Sequence, residues 1–345
     1  MKKSTFVFIL FCLLSLSCFA QKKITLKIAS VAPARSAWET EQKALAAEWS
    51  RITNGQVVLQ FYNTIALGGE DGVVQKMRPL RPGQPAPLDG AIFTNIGAYE
   101  LAPESNILTL AMPFLFKNQE EVDLVLEALS SEISDAMKVQ GFELLGWFNV
   151  GWANFYTKKE IRTPEELKKI KLSVGGVTSS ELGKAFQRAG YMTEDVPNDK
   201  ILQSIKSANG VQGLYTIPMY AYASQYHKSL NYVLNTAICP VLANFVVSEA
   251  SWNKIPNQYK DDLLAAVKQS EEKFIGFQQK TDKEYLSLME KEGLHIVNLT
   301  EKEIAVFQET LKMDALLMSE SKTETIINYE MYQKISAILK KHREK

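Results

Sequence analysis

His227, His295 and His342 are the histidines of the chain, and they are scattered rather than paired. Metal chemistry calls for ligands at close spacing, as in His-Glu-x-x-His or a cysteine cluster, and neither pattern occurs. Nucleophilic catalysis would show as a Gly-x-Ser-x-Gly elbow, and phosphate binding as a glycine-rich loop ending in lysine. Both are absent from the sequence. His295 lies in the alternating run Leu294-His295-Ile296-Val297 and reads as an ordinary strand residue. The acidic pairs Glu120-Glu121, Glu165-Glu166 and Asp261-Asp262 fall in the first turns of expected helices, where carboxylates complement the helix dipole. Asn298-Leu299-Thr300 fits a glycosylation acceptor, but with Glu303 three residues on, Thr300 reads as a helix cap. The residues thus argue against a catalytic or metal centre and call for no cofactor. Binding is the chemistry that remains.

Composition sets the frame for that binding. The chain has 345 residues, 46% hydrophobic and 23% charged, which is ordinary for a folded protein of two domains or one large one. Lys2 and Lys3, the apolar run from Phe6 to Leu16 and the small residues before Gln21 form a secretory signal peptide over residues 1–20. Cys18 after Ser15-Leu16-Ser17 also fits a loose lipoprotein signal, with the cysteine as anchor; Ser15, where a leucine is usual, favours cleavage after Ala20. Cleavage there removes two lysines from 39 basic residues, leaving 37 against 39 acidic and a net charge of −2. So balanced a chain has no electrostatic footprint for nucleic acid. Cys239 is then the one cysteine left, so no internal disulfide forms and the fold depends on its core.

The elements that would carry a binding site follow from periodicity. Ile24 to Ala29 alternates as a half-buried strand, Trp38 to Arg51 is a helix, and Gln56 to Tyr62 is the next strand. Strand, helix, strand argues for a parallel α/β sheet. A helix is expected from Leu67 through Met77 and a strand from Leu88 to Thr94. Pro79, Pro82, Pro85 and Pro87 between them favour an extended surface insertion. Two helices, 118–129 and 133–139, precede a strand at 143–152. Thr163-Pro164-Glu165-Glu166 is a capping box, and Ile170 to Val174 alternates so that Lys171 and Ser173 share a face. Ser180 to Gly190 is an amphipathic helix with Leu182, Ala185, Phe186 and Ala189 inward. Asn244 to Ser248 is a strand, 257–292 a long amphipathic helix, and the C-terminal residues are helical.

Several of these stretches occur in a known order. Leu167-Lys168-Lys169-Ile170-Lys171-Leu172-Ser173-Val174 and Val211-Gln212-Gly213-Leu214-Tyr215-Thr216 resemble two signature segments of the solute-binding proteins of tripartite ATP-independent periplasmic (TRAP) transporters. Leu67-Gly68-Gly69 and Leu110-Ala111-Met112-Pro113-Phe114-Leu115-Phe116 match further landmarks, so the resemblance covers nearly all of the mature chain. It implies an α/β fold of two lobes closing like a Venus flytrap, with a long helix bracing both. Lobe I would comprise 21–150 with 240–280, and lobe II 151–239 with 281–345, including the C-terminal helices. It also implies membrane permease subunits as partners.

The departures are informative. The position where the family holds a ligand-pairing arginine is Ser173, the usual asparagine is Thr216, and the position of a second common arginine is Ala153. Burying a carboxylate without a cationic partner costs several kcal/mol, and a serine offers about 1 kcal/mol net. The strand ends and loops that the resemblance places at the cleft are instead greasy, which gives the candidate ligand-binding set Trp38, Phe93, Phe148, Trp152, Ser173, Tyr215, Thr216 and Met219. Covering about 300 Å² of an aliphatic ligand would contribute on the order of 7 kcal/mol before association costs. The reading is therefore a TRAP binding protein for an apolar or amphipathic ligand, of the subset paired with a tetratricopeptide-repeat protein. The alternatives are an ordinary organic acid held by Lys171, or a secreted hydrolase on the same scaffold.

Overall fold

The computed structural model describes residues 23–81, 83–173, 180–319 and 326–344. The expected signal peptide with Cys12 and Cys18 lies outside them, as do Pro82, Val174 and the Leu182 side chain.

The first lobe opens with β1 (Ile24–Ser30), α1 (Ala37–Ile52) and β2 (Val57–Asn63), followed by α2 (Gly69–Lys76), β3 (Gly90–Phe93) and α3 (Asn95–Leu101). β1 pairs in parallel with both β2 and β3, as the strand–helix–strand order requires. Ser36 caps α1, its Oγ accepting from Glu39 N at 3.1 Å. The turns of α1 put Trp38, Leu45 and Trp49 against the sheet. α4 (Gln119–Val139) is one helix, not the expected two. Ser130 and Ser131 do not interrupt it, because Val122, Val125, Leu129, Ile133 and Met137 keep one buried stripe across them.

β4 (Phe142–Trp152) runs out of this sheet into β5 (Asn154–Thr157), the first strand of a second one. The second lobe continues with α5 (Pro164–Lys168), β6 (Lys171–Ser173), α6 (Ser180–Arg188), β7 (Met192–Thr193), α7 (Ile201–Lys206), β8 (Gly213–Thr216), α8 (Pro218–Ala223) and β9 (Tyr232–Leu234). The Thr163 capping box is formed on both sides, each hydrogen bond at 3.2 Å. The chain returns through β10 (Pro240–Ser248), antiparallel to β3 and β4. Outgoing and returning segments bond to each other where they cross: Ala153 N–H donates to Cys239 O and Ile238 N–H to Ala153 O, both at 2.9 Å.

After α9 (Glu249–Trp252), α10 (Asn257–Lys291) braces the two lobes. Leu263, Val267 and Phe274 enter the first-lobe core, and Met289 enters the second. Two carboxylates pin α10 to β4: Glu271 accepts from Trp147 N at 2.8 Å and Asp282 from Trp152 N at 3.0 Å. β11 (His295–Val297) extends the second sheet beside β9. α11 (Glu301–Ser319) lies on α5 and α6, tied by Lys168–Asp314 at 2.9 Å. α12 (Tyr329–Arg343) packs instead on α4, where Arg343 pairs with Glu121 at 2.7 Å and Lys334 with Glu132 at 2.9 Å. The C-terminal helices, grouped with lobe II by sequence, are thus divided between the lobes. The amphipathic stripe of α12 (Met331, Ile335 and Leu339) finds its cover on lobe I.

Candidate functional site

A cavity of about 400 Å³ lies between the two sheets, over the crossing segments. Strands β1, β3 and β8 end there, so the loops that follow them line it. Crevices beyond the carboxyl ends of strands are the usual ligand position in open α/β sheets. Ser30, Val31 and Trp38 form one wall with Thr94 and Asn95. Ala153, Cys239 and Pro240 of the crossing contribute between the lobes. The opposite wall is aromatic, made of Phe155, Phe186, Tyr191 and Tyr215. These rings lock one another: Phe186 stacks on Tyr215 with centroids 6.0 Å apart, and meets Tyr191 edge-on at 5.2 Å. Phe155 meets Tyr215 edge-on at 5.8 Å. Leu311 and Ala315 of α11, with Ile326 and Ile327, complete the enclosure.

Charge is nearly missing from this lining. Among the described residues, Arg35 and Asp314 are the charged side chains that line the cavity. Arg35 is exposed at the rim, in a left-handed turn (φ 62°) whose N–H donates to Glu39 Oε2 at 2.6 Å. The Asp314 carboxylate is already engaged by Lys168 Nζ and the Tyr191 hydroxyl, both at 2.9 Å. Burial pushes the Cys239 thiol up to about 12, so it stays neutral, and burial also raises the Tyr215 phenol. Behind the first-lobe wall, the fully buried Glu70 is raised to about 7 by burial. Hydrogen bonds from Thr94 N at 2.6 Å and Thr94 Oγ1 at 2.8 Å only partly oppose that rise.

Of the residues singled out from sequence, Trp38, Tyr215 and Thr216 line the cavity. Phe93, Phe148 and Met219 do not; each is core. Phe93, 1% exposed, packs in the large cluster with Ala98 and Met112. Phe148 stands edge-on to Phe274 of α10 at 5.3 Å. Met219 belongs with Ile217 in the core beneath α10. Trp152 is half-buried against the large cluster, and Ser173 is buried at the end of β6; neither lines the cavity. Lys171 is turned away, its Nζ 2.9 Å from Glu194 and donating to Asn209 O at 2.8 Å. Phe155, Phe186, Tyr191 and Asn95 were not anticipated as lining residues. Phe186 had a legible signal, its place on the apolar stripe of α6, but that stripe does not distinguish core from cavity wall.

The family profile described as "DctP: Bacterial extracellular solute-binding protein, family 7" matches residues 28–320. A solute-binding protein of Roseobacter denitrificans is 24% identical over 315 residues, 90% of each chain. A TRAP periplasmic solute-binding protein of Haemophilus influenzae, solved with bound L-gulonate, superposes with a TM-score of 0.78 at 18% identity, over 92% of this chain and 99% of that one. A counterpart from Sulfurospirillum deleyianum, solved with bound succinate, gives the same score, identity and coverage. At that identity the two structures share the two-lobed fold with this chain.

Proposed function

The chain belongs to the DctP family, the bacterial extracellular solute-binding proteins of family 7, and from that premise we propose that it is the periplasmic binding subunit of a TRAP transporter taking an apolar or amphipathic small molecule. The observation that carries the ligand class is the lining: four interlocked aromatic rings on one wall, aliphatic groups around them, and Asp314 already neutralised by Lys168. The positions where arginines were sought supply none. Ala153 presents a methyl group to the cavity, and Ser173 stands outside it. A carboxylate enclosed here would be buried without a cationic partner, which is the costly arrangement.

The action is a shift of population. A ligand touching both walls favours the closed arrangement of the lobes by its differential affinity for it. The closed form then docks on the membrane subunits and releases its cargo there. No covalent step enters this reading. A tetratricopeptide-repeat partner belongs to it through the sequence resemblance alone. A second reading, an organic acid as bound by the relatives, has one observation in its favour: the guanidinium of Arg35 at the rim. Lys171, the anchor first considered for that reading, is paired elsewhere.

Mass spectrometry of an organic extract of the natively purified protein separates the two. A neutral lipid or other uncharged apolar compound near one per chain is expected. A small polar acid at that ratio would overturn the apolar reading and move attention to Arg35.

A further inference from the structure

The lining of the cavity changes in character from one side to the other. On one side it reaches solvent: Arg35 and Asn63 of the first lobe are exposed, and Thr216 and Ser224 of the second are half-buried. All four side chains are polar. On the other side Phe186, Leu311, Ala315, Ile326 and Ile327 are each 7% exposed or less and belong to one apolar cluster. Tyr215 joins the two sides, half-buried itself and stacked on Phe186. The enclosed side is built from C-terminal elements fixed to both lobes. Leu311 and Ala315 lie on α11, which Lys168–Asp314 ties to the second lobe. Ile326 and Ile327 precede α12, and the next residue, Asn328, donates its N–H to Thr109 Oγ1 of the first lobe at 2.9 Å.

We propose that the cavity takes a single-chain amphipath with a neutral polar head, in one orientation and up to a fixed chain length. The head lies on the exposed side beside Asn63 and Ser224, and the chain passes Tyr215 to an end stop formed by Leu311, Ala315, Ile326 and Ile327. The direction follows from transfer energies. Each methylene gains by leaving water, whereas a hydroxyl loses by entering an apolar space without a partner. A neutral head suits the exposed side, which offers amide and hydroxyl groups. Its cation, Arg35, stands in water, where an ion pair contributes little. The length limit follows from packing: a chain that reaches the stop grows further only by pushing packed side chains aside.

This inference rests on the apolar reading above, and its test separates the two. Hexan-1-ol, octan-1-ol, decan-1-ol, dodecan-1-ol and tetradecan-1-ol would be titrated into stripped wild-type protein and three variants. In wild type, affinity is expected to rise by about fourfold per added methylene and then level off at one length. Leu311→Ala and Ile326→Ala should move that break to a longer alcohol, and Ala315→Leu to a shorter one. Opposite shifts in chain length are a readout that a general loss of stability does not imitate. Octane-1,8-diol, which carries a second hydroxyl into the enclosed side, should bind about tenfold more weakly than octan-1-ol. A break at the same length in all four proteins overturns the end stop and leaves the apolar reading standing. A diol as tight as octan-1-ol overturns the single orientation. Sodium dodecanoate binding more tightly than dodecan-1-ol, with the advantage lost in Arg35→Ala, overturns the neutral head. Failure of every alcohol to bind overturns the apolar reading and this inference with it.

Discussion

At the scale of single residues, Glu70 is a fully buried carboxyl whose ionisation the fold resists. Its carboxyl is raised from an ordinary 4.5 to about 7 by burial. The folded state therefore holds a proton that the unfolded chain releases near 4.5. The stabilisation is complete below about 4.5 and is lost as pH rises through about 7, a difference on the order of 3 kcal/mol. Glu70→Gln removes that titration while leaving an acceptor for Thr94 N. Urea midpoints at pH 5 and pH 8 should differ clearly in wild type and little in the variant; parallel curves for the two proteins would refute the assignment. Tyr215 offers a second test. It joins Phe155 and Phe186 into one wall, so Tyr215→Ala should weaken binding of the natively extracted compound by about ten- to a hundredfold. An unchanged affinity would remove that wall from the site.

At the scale of elements, the crossing strands and the last helix carry the sharpest expectations. Gly151 in β4 has φ 149°, and a Cβ there would meet Asp282 Oδ1 and Ile217 Cγ2 at 2.9 Å. Those contacts come from α10 and from the second lobe, so Gly151→Val should strain the crossing itself, with a loss of about 1–3 kcal/mol. A melting temperature equal to wild type would show that the crossing yields freely. For α12, burial alone would raise the Glu121 carboxyl; the Arg343 guanidinium and the Lys117 N–H outweigh it and hold the carboxyl below its usual range. Arg343→Met leaves that carboxylate, 3% exposed, without its cation. A loss of about 1–3 kcal/mol is expected, with hydrogen exchange rising first in α12. Uniform protection across α12 in the variant would mean that Met331, Ile335 and Leu339 hold the helix unaided.

At the scale of the molecule, α10 and the two crossing segments make lobe motion a bend rather than a separation. The lobes share α10, which Glu271 and Asp282 pin to β4 and whose Met289 enters the second-lobe core, and they share the hydrogen bonds between Ala153, Ile238 and Cys239. Closure must then occur about these fixed contacts, with α11 moving alongside the second lobe to which Lys168–Asp314 ties it. Small-angle scattering should show a smaller radius of gyration when the extracted compound is returned to stripped protein. A radius independent of ligand would argue against capture by closure.

Much of this architecture was legible in the chain. Local signals placed the strands and caps, because a capping box such as Thr163–Glu166 or a period-2 run depends on neighbours a few residues apart. The order of segments carried the two-lobed fold, and the residue types at 153 and 173 already spoke against a buried guanidinium. Serines 130 and 131 misled because helix continuity there depends on the buried stripe of α4, a packing fact. The cavity lining was decided only by tertiary structure. In sheets covered on both faces, period 2 no longer distinguishes inside from outside. Phe155 and Tyr156 are adjacent and buried to 2% and 0%, yet Phe155 lines the cavity and Tyr156 belongs to the second-lobe core. The same holds for Phe93 and Phe148, whose type and placement suited a ligand but whose faces were taken by α3 and α10. Burial follows from composition along the chain; which void a buried ring borders follows from how two lobes are set against each other, and that geometry is not a local property of any segment.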